Sequence, residues 1–126
     1  MSGDWSETTK GDDFTAHASA SGRSIQVRLA GTADLTVTTL LDLFLRNVHS
    51  QAQLCLAEEV TVDVRQLEFM NSSCLKSLVW WACAVQDQPG QGKYRIVIDS
   101  NSSVGWQRRS LKALACLATE VISIRA

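Results

Sequence analysis

Apolar residues alternate with polar ones early in the chain and change to helical spacing further along it. Over residues 24–30 every second residue is apolar, which is typical of a half-buried β-strand. A weaker alternation over 14–19 ends at a Ser-Gly pair, which predicts a short edge strand joined to the next strand by a hairpin turn. Over 34–50 the apolar residues recur at helical spacing, so this segment predicts an amphipathic helix with Thr36 as its N-cap.

The second half of the chain repeats this change of period. Alternating strands are predicted over 60–64, 94–98 and 119–124, and helical spacing follows Asn71 and again the segment 100–103. The element order is therefore β-β-α-β-α-β-α-β. Strands separated by single helices form right-handed crossovers in a largely parallel sheet, and the opening hairpin adds an antiparallel edge. The pattern predicts an α/β fold with a mixed sheet.

The length and charge of the chain narrow the functional classes. It has 126 residues, which is the size of one domain. Residues 1–13 are polar and predict a flexible N-terminal tail ahead of a domain over 14–126. The net charge of -1 disfavours nucleic acid binding, which usually needs a basic excess. No apolar run reaches the ~20 residues of a membrane helix, and no signal-peptide pattern is present, so we expect a cytoplasmic protein without membrane insertion.

The sequence lacks the motifs of a catalytic or metal site. It contains no nucleophile elbow, phosphate-binding loop or dinucleotide fingerprint. The four cysteines include no Cys-x-x-Cys pair, and the only histidines are His17 and His49, so no zinc site is predicted. Cys83 and Cys116 lie in apolar helical patterns and are expected to be buried. We therefore expect no enzyme activity, no metal and no cofactor.

One segment joins a predicted strand to a predicted helix in a specific way. Residues 69–75 read Phe-Met-Asn-Ser-Ser-Cys-Leu, and the apolar side of the preceding strand continues to Phe69. This segment resembles the apolar-Asp-Ser-Ser-Gly-Leu turn of the STAS domains, the fold of the anti-sigma factor antagonists. A second landmark agrees, since Gly31-Thr-Ala-Asp34 stands where these domains carry a Gly-x-x-Asp segment. The resemblance covers about 24–124 and implies a STAS-like single domain with helices mainly packed on one face of the mixed sheet.

The resemblance implies a regulatory module that binds proteins and is not an enzyme. In the family, the serine after the aspartate is phosphorylated by a partner kinase, and this position is Ser72, with Ser73 beside it. A phosphate there would add roughly -1.5 to -2 charges at the positive end of a helix. The implied partner is a kinase of the anti-sigma-factor type. The alternative is that Ser72 and Ser73 only cap the helix.

The implied partner-binding surface lies along the helix that starts at this turn. Trp80 falls away from the apolar face of that helix, which is typical of an interface anchor, whereas Trp81 lies at the border of the face. Exposed tryptophans also leave a homodimer open. The residues expected to contact a protein partner are Gly31, Asp34, Asn71, Ser72, Ser73, Cys74, Lys76 and Trp80.

Two departures from the family pattern support a second hypothesis. Asn71 stands in place of the usual aspartate and Cys74 in place of the usual glycine. A domain that keeps its binding surface without the switch would act as an accessory subunit of a larger assembly, such as a transport ATPase. A third hypothesis is redox chemistry at Cys74, because the first turn of a helix lowers a thiol pKa. The basic cluster of Arg108, Arg109 and Lys112 is either a solvated face or a rim contact for an acidic partner.

Overall fold

The computed structural model describes residues 5–125, apart from the side chain of Gln91. The strands in this range are β1 (Trp5–Gly11), β2 (Phe14–Ser21), β3 (Ser24–Ala33), β4 (Glu59–Met70), β5 (Arg95–Asp99) and β6 (Ile122–Arg125). The α-helices are α1 (Thr38–Leu54), α2 (Ser72–Gln86) and α3 (Gly105–Leu117). Short 3-10 turns over Leu35–Val37 and Gly90–Gly92 precede α1 and β5. Each of these helices falls short of the length and apolar character that a membrane span requires.

The strands form one sheet in which the spatial order follows the chain order. The pairs β1–β2 and β2–β3 are antiparallel, whereas β3, β4, β5 and β6 run parallel. Each parallel pair is joined through one helix, so the crossovers advance in the same direction across the sheet. Since such crossovers are right-handed, the helices pack on one face. The predicted α/β class and the mixed sheet with an antiparallel N-terminal hairpin are confirmed.

The core lies between this helical layer and the side of the sheet that faces it. Alternate residues of β2 are buried, as a period of two predicts, and most of the intervening ones are exposed on the open side of the sheet. Leu41 and Phe44 of α1 and Leu78 and Trp81 of α2 are buried against this surface. Trp81 is only 1% exposed, so the residue at the border of the helical face belongs to the core.

The prediction of a flexible N-terminal tail is wrong for residues 5–11, which form β1 along the outer edge of β2. An edge strand can be this polar because backbone pairing with its neighbour satisfies its amides and carbonyls without an apolar face of its own. Trp5 packs against the core, and both carboxylate oxygens of Glu7 accept from the side-chain amide of Asn47, at 3.0 and 3.2 Å. Residues 1–4 of the predicted tail lie outside the described residues.

The boundaries of α1 and β4 also differ from the prediction. A 3-10 turn precedes α1. Asp34 rather than Thr36 is the N-cap of this turn, because the Asp34 side chain accepts from the Thr36 amide at 2.9 Å. Strand β4 continues to Met70 because it stays paired with β3 as far as Ala33, through two register shifts. Phe69 is 46% exposed, so the apolar side of the strand does not continue into the core at this position.

The four cysteines are free thiols in different environments. Cys74 is fully buried and Cys55 is half-buried, but Cys83 and Cys116 are exposed, so the predicted burial of the last two is wrong. Cys83 directly follows the buried Ala82 along α2, and one step of about 100° around a helix moves a side chain off the core face. The position of a cysteine within an apolar helical segment therefore does not show whether its side chain lies on the buried or the exposed side of the helix.

Candidate protein-binding site

The structure brings the two predicted landmarks together at the carboxyl ends of β3 and β4. Thr32 pairs with Phe69 and Ala33 with Met70 across the parallel ladder. One residue further on, the Asn71 amide donates to the Ala33 carbonyl at 2.9 Å, which ties the start of α2 to the end of β3. The glycine segment and the serine turn, which are 40 residues apart in sequence at Asp34 and Cys74, thus form one local site.

Gly31 shapes its half of the site through its backbone. Its φ is +94°, in a region that L side chains rarely adopt, and a Cβ at this position would collide with the carbonyl group of Asp13. The same carbonyl accepts from the Thr32 amide at 2.6 Å. Glycine therefore allows the turn after β1 to close onto the end of β3, and it contributes conformation rather than a contact group.

Asp34 is committed to the local turn. Its Oδ1 accepts from both the amide and the hydroxyl of Thr36, and these hydrogen bonds, the hydroxyl one foremost, lower the pKa of the carboxyl group. The side chain therefore carries a negative charge near the start of α2 at neutral pH. Its cap also fixes the direction in which the chain enters α1.

Asn71 caps α2, as its residue type predicts. Its backbone is extended, and its Oδ1 accepts from the Cys74 amide at 2.9 Å. Ser72 and Ser73 are consequently the first two helical residues and are not the cap. Within residues 5–125 neither hydroxyl makes a hydrogen bond, and Ser72 is exposed whereas Ser73 is half-buried. The alternative in which these serines only cap the helix does not describe this geometry.

Cys74 joins the two landmarks from within the protein. Its thiol donates to the Asp34 carbonyl at 3.5 Å and lies 3.6 Å from the Thr38 hydroxyl. Burial raises the pKa of the thiol, so the lowered thiol pKa that redox chemistry requires is contradicted. The Cys74 side chain is buried under the turn and does not project from the surface.

The other predicted contact residues of α2 lie on one stripe of the helix. Ser72, Lys76 and Trp80 are spaced by four residues, which places them on the same side over two turns. Lys76 is exposed, but Trp80 is half-buried between other groups. The Arg46 guanidinium lies 4.2 Å from the centre of its ring, and the His49 ring meets it edge-on at 6.0 Å.

Two apolar residues beside the turn also belong to the site, and the sequence did not predict them as site residues. Leu35 is 73% exposed directly after Asp34, and Phe69 is 46% exposed two residues before Asn71. Both stand next to the recognised motifs, but the sequence pattern places Phe69 on the apolar side of its strand and gives no role to Leu35. Large exposed apolar side chains around a polar turn are typical of a surface that contacts another protein.

Comparison with known proteins agrees with the fold. No family model and no curated protein matches the sequence. Among solved structures, an anti-sigma factor antagonist from Mycobacterium paratuberculosis is similar over 92% of this chain and 88% of its own, with a TM-score of 0.64 and 15% sequence identity. The chain has the STAS fold. The predicted STAS-like fold is thus confirmed, while an identity of 15% leaves the roles of individual residues to be argued from the site.

Chemical groups of several kinds surround the start of α2. Within residues 5–125 no three histidine, cysteine or acidic side chains come together in a way that could hold a metal ion. The site offers an exposed hydroxyl, a lysine, a carboxylate and two exposed apolar side chains around a helix start. This combination suits recognition of another protein.

Proposed function

We propose that this protein is a non-enzymatic regulatory module that binds another protein through the turn surface, defined as Leu35, Phe69, Ser72 and Lys76. The observation that carries the proposal is the Ser72 hydroxyl, which is exposed at the first position of a helix capped by a different residue. The hydroxyl is therefore available to solvent without loss of the cap. The similarity in fold to an anti-sigma factor antagonist supports a partner of the anti-sigma-factor kinase class.

Phosphorylation of Ser72 would change this surface without unfolding the domain. The first amides of α2 have no intrahelical partner, and they and the helix dipole favour an anion at this end. The added charge of roughly -1.5 to -2 would stand in the turn surface that also contains the exposed Leu35 and Phe69, at the helix start that Cys74 ties to Asp34. A partner that packs on the apolar side chains would then have to desolvate the phosphate, so docking would weaken.

The experiment has two stages and uses the whole chain. The protein is incubated with ATP and kinase domains of the anti-sigma-factor class from the same genome, and phosphorylated peptides are mapped by mass spectrometry. We expect phosphate on Ser72. The affinity of the unmodified protein for the same domains is then measured by calorimetry beside Ser72→Ala and Ser72→Asp.

A matched control separates the position from the charge. Ser102 is also exposed and lies in the loop after β5, at the same edge of the sheet as the turn. We expect Ser72→Asp to weaken binding by about tenfold or more, and Ser102→Asp to change it little. Phosphate on neither Ser72 nor Ser73 would reject the switch, and failure of every tested domain to bind would reject the module.

A second function, that of an unswitched subunit of a larger assembly such as a transport ATPase, is favoured by Asn71. Its amide caps α2 without the negative charge that the family carries beside the acceptor serine. In that case Ser72→Ala and Ser72→Asp would leave partner affinity equal, and binding would depend on Phe69 and Trp80. A loss of affinity on Ser72→Asp alone would decide against this second function.

A further inference from the structure

A cavity of about 400 Å³ lies between α3 and the edge strand β6. Its floor is apolar and consists of Leu111 and Ala115 of α3 together with Ile124 of β6. Leu111 is buried, whereas Ala115 and Ile124 are half-buried. The volume falls in the lower part of the range for small-molecule sites, which fits a compact ligand.

One wall of this cavity is held rigidly by a buried glutamine. Gln107 is 1% exposed, and its Nε2 donates to the carbonyls of Val64 and Leu67 at 2.7 and 3.0 Å. Its Oε1 accepts from the Asn101 amide at 2.8 Å, which fixes the loop at the mouth of the cavity. These bonds use the polar atoms of Gln107 fully, so the side chain organises the wall and leaves recognition to other groups.

The recognition groups that remain are cationic. Arg108 and Lys112 line the cavity, and neither forms an ion pair within residues 5–125. No aspartate or glutamate is among the lining residues. The larger cavity at the opposite end of the sheet differs, because Arg23 there is paired with Glu58 at 3.1 Å.

The spacing of residues along α3 places the two cations beside the apolar floor of the cavity. Arg108 and Lys112 are four residues apart and form one row, and Leu111 and Ala115 form the adjacent row on the same helix. A ligand with a charged head and an apolar body would therefore place its head at the cationic rim and its body over the floor. Burial of the body supplies affinity, and the cations supply orientation.

We propose that this cavity binds a small amphipathic carboxylate, with the carboxylate at Arg108 and Lys112 and the apolar body on Leu111, Ala115 and Ile124. The site shares no residue with the turn surface, so the test of this ligand site does not depend on whether the proposed protein partner binds. A ligand in the cavity would contact both α3 and β6, the last strand of the sheet.

The test is an NMR titration of the full ¹⁵N-labelled protein with octanoate. We expect saturable amide shifts centred on Leu111, Ala115 and Ile124. Acetate has the carboxylate without the long apolar chain and is expected to cause no saturable shift. Octanol is neutral and octylammonium is a cation, so both are expected to bind more weakly than octanoate. Equal binding of octanol or octylammonium would overturn the assignment of an anion site.

Charge variants then locate the head group. Arg108→Gln and Lys112→Gln are each expected to weaken octanoate by about two- to fivefold, because both cations are exposed and screened. Arg109→Gln is the matched control, since Arg109 is a neighbouring exposed cation that does not line this cavity. An equal effect of Arg109→Gln would show a diffuse charge effect and overturn the site.

Two further results distinguish the cavity from the outer surface of α3. Ile124→Ser, at a half-buried position of the edge strand, is expected to weaken octanoate binding, and circular dichroism checks that the variant is folded. Shifts confined to Ala113 and Cys116, which line only the outer surface, would overturn the proposal. So would hexaglutamate that binds as tightly as octanoate, because it would show an acidic-peptide surface instead.

Discussion

The first turn of α2 and its middle are both expected from the sequence to contact a partner, but the protein occupies them differently. At the first turn, the Ser72 hydroxyl is exposed and has no hydrogen bond within residues 5–125. Two turns later, the Trp80 ring is stacked under Arg46 and flanked by His49. The first group is free to meet a partner, whereas the second already has intramolecular contacts that a partner would have to replace.

The contrast continues beneath the surface. The Trp81 indole donates to the Tyr94 hydroxyl at 2.7 Å, and the same hydroxyl lies 2.7 Å from Nδ1 of His49. Because an indole can only donate, the Tyr94 oxygen accepts from Trp81, and the same hydroxyl is also the hydrogen-bond partner of His49 Nδ1. The middle of α2 is therefore joined by hydrogen bonds to α1 and to the residue before β5, which makes it a structural region. Distance from the core face, read from a helical projection, does not show whether an aromatic ring is free.

The largest effect is expected at the glycine that shapes the first region. Gly31→Ala forces a Cβ against the Asp13 carbonyl group at a φ of +94°. We expect a loss of about 3 kcal/mol in the free energy of unfolding, measured by urea denaturation. The strand ends that hold the turn surface would shift, so partner affinity is expected to fall as well.

Gly22→Ala is the matched control for this loss. Gly22 also has a positive φ, of +63°, but a Cβ there would meet no atom within 4 Å. The control isolates the cost of the backbone conformation, which is about 1 kcal/mol. Equal losses for Gly31→Ala and Gly22→Ala would contradict the close approach of Asp13 to Gly31.

The next effect belongs to the second region. Tyr94→Phe removes the acceptor of the buried Trp81 N–H and the hydrogen-bond partner of His49 Nδ1 at once. We expect a loss of about 2 kcal/mol in the free energy of unfolding, because a buried donor is left without a partner. Thermal unfolding and the fluorescence of Trp81 both report it. No change in stability would contradict the structural role of the middle of α2.

The elements with a strong period could be predicted from the sequence. The alternation in 24–30 and the helical spacing in 34–50 each combine a buried face with an exposed one, so the pattern carries the fold directly. The site could be placed because Gly31 and Asn71 are residue types with specific backbone roles in turns and caps.

What escaped prediction depends on contacts between distant segments. Strand β1 is polar and owes its place to backbone pairing with β2, which leaves no apolar signal. Gln107 is buried because the carbonyls of Val64 and Leu67 point at it, and a lone glutamine in a helix gives no hint of this. Trp80 is covered by Arg46, whose position relative to it depends on how α1 packs on α2.

A smaller effect tests the separation of cap and switch within the first region. Asn71→Ala removes the hydrogen bond to the Cys74 amide and is expected to cost about 1 kcal/mol. Asn71→Asp keeps the acceptor and adds a charge that the helix dipole favours, so its stability is expected to equal or exceed that of the original. Ser72→Ala is expected to change stability by less than about 0.5 kcal/mol. A loss at Ser72 as large as at Asn71 would mean that Ser72 is part of the cap, and denaturant titration of the three variants decides between these outcomes.

The smallest effect is a pH dependence in the second region. Burial lowers the pKa of His49, so the folded protein resists protonation of this ring more than the unfolded chain does. The unfolded chain therefore binds more protons below its own histidine pKa of about 6.5, and stability is complete above that pH and declines as the pH falls toward the folded pKa. Because the ring is half-buried, solvent screens part of this cost.

Geometry adds to the direction of this change. Protonated His49 carries a proton on Nδ1 and would have to donate it to a Tyr94 oxygen that already accepts from Trp81. The Arg46 cation on the other side of Trp80 opposes a second positive charge in the same place. Urea unfolding at pH 7.5 and pH 5 is expected to show a smaller pH-dependent loss for His49→Gln than for the original protein. His17→Gln, on the open side of the sheet, should retain the full loss, and the reverse result would move the pH-sensitive group out of the α1–α2 contact.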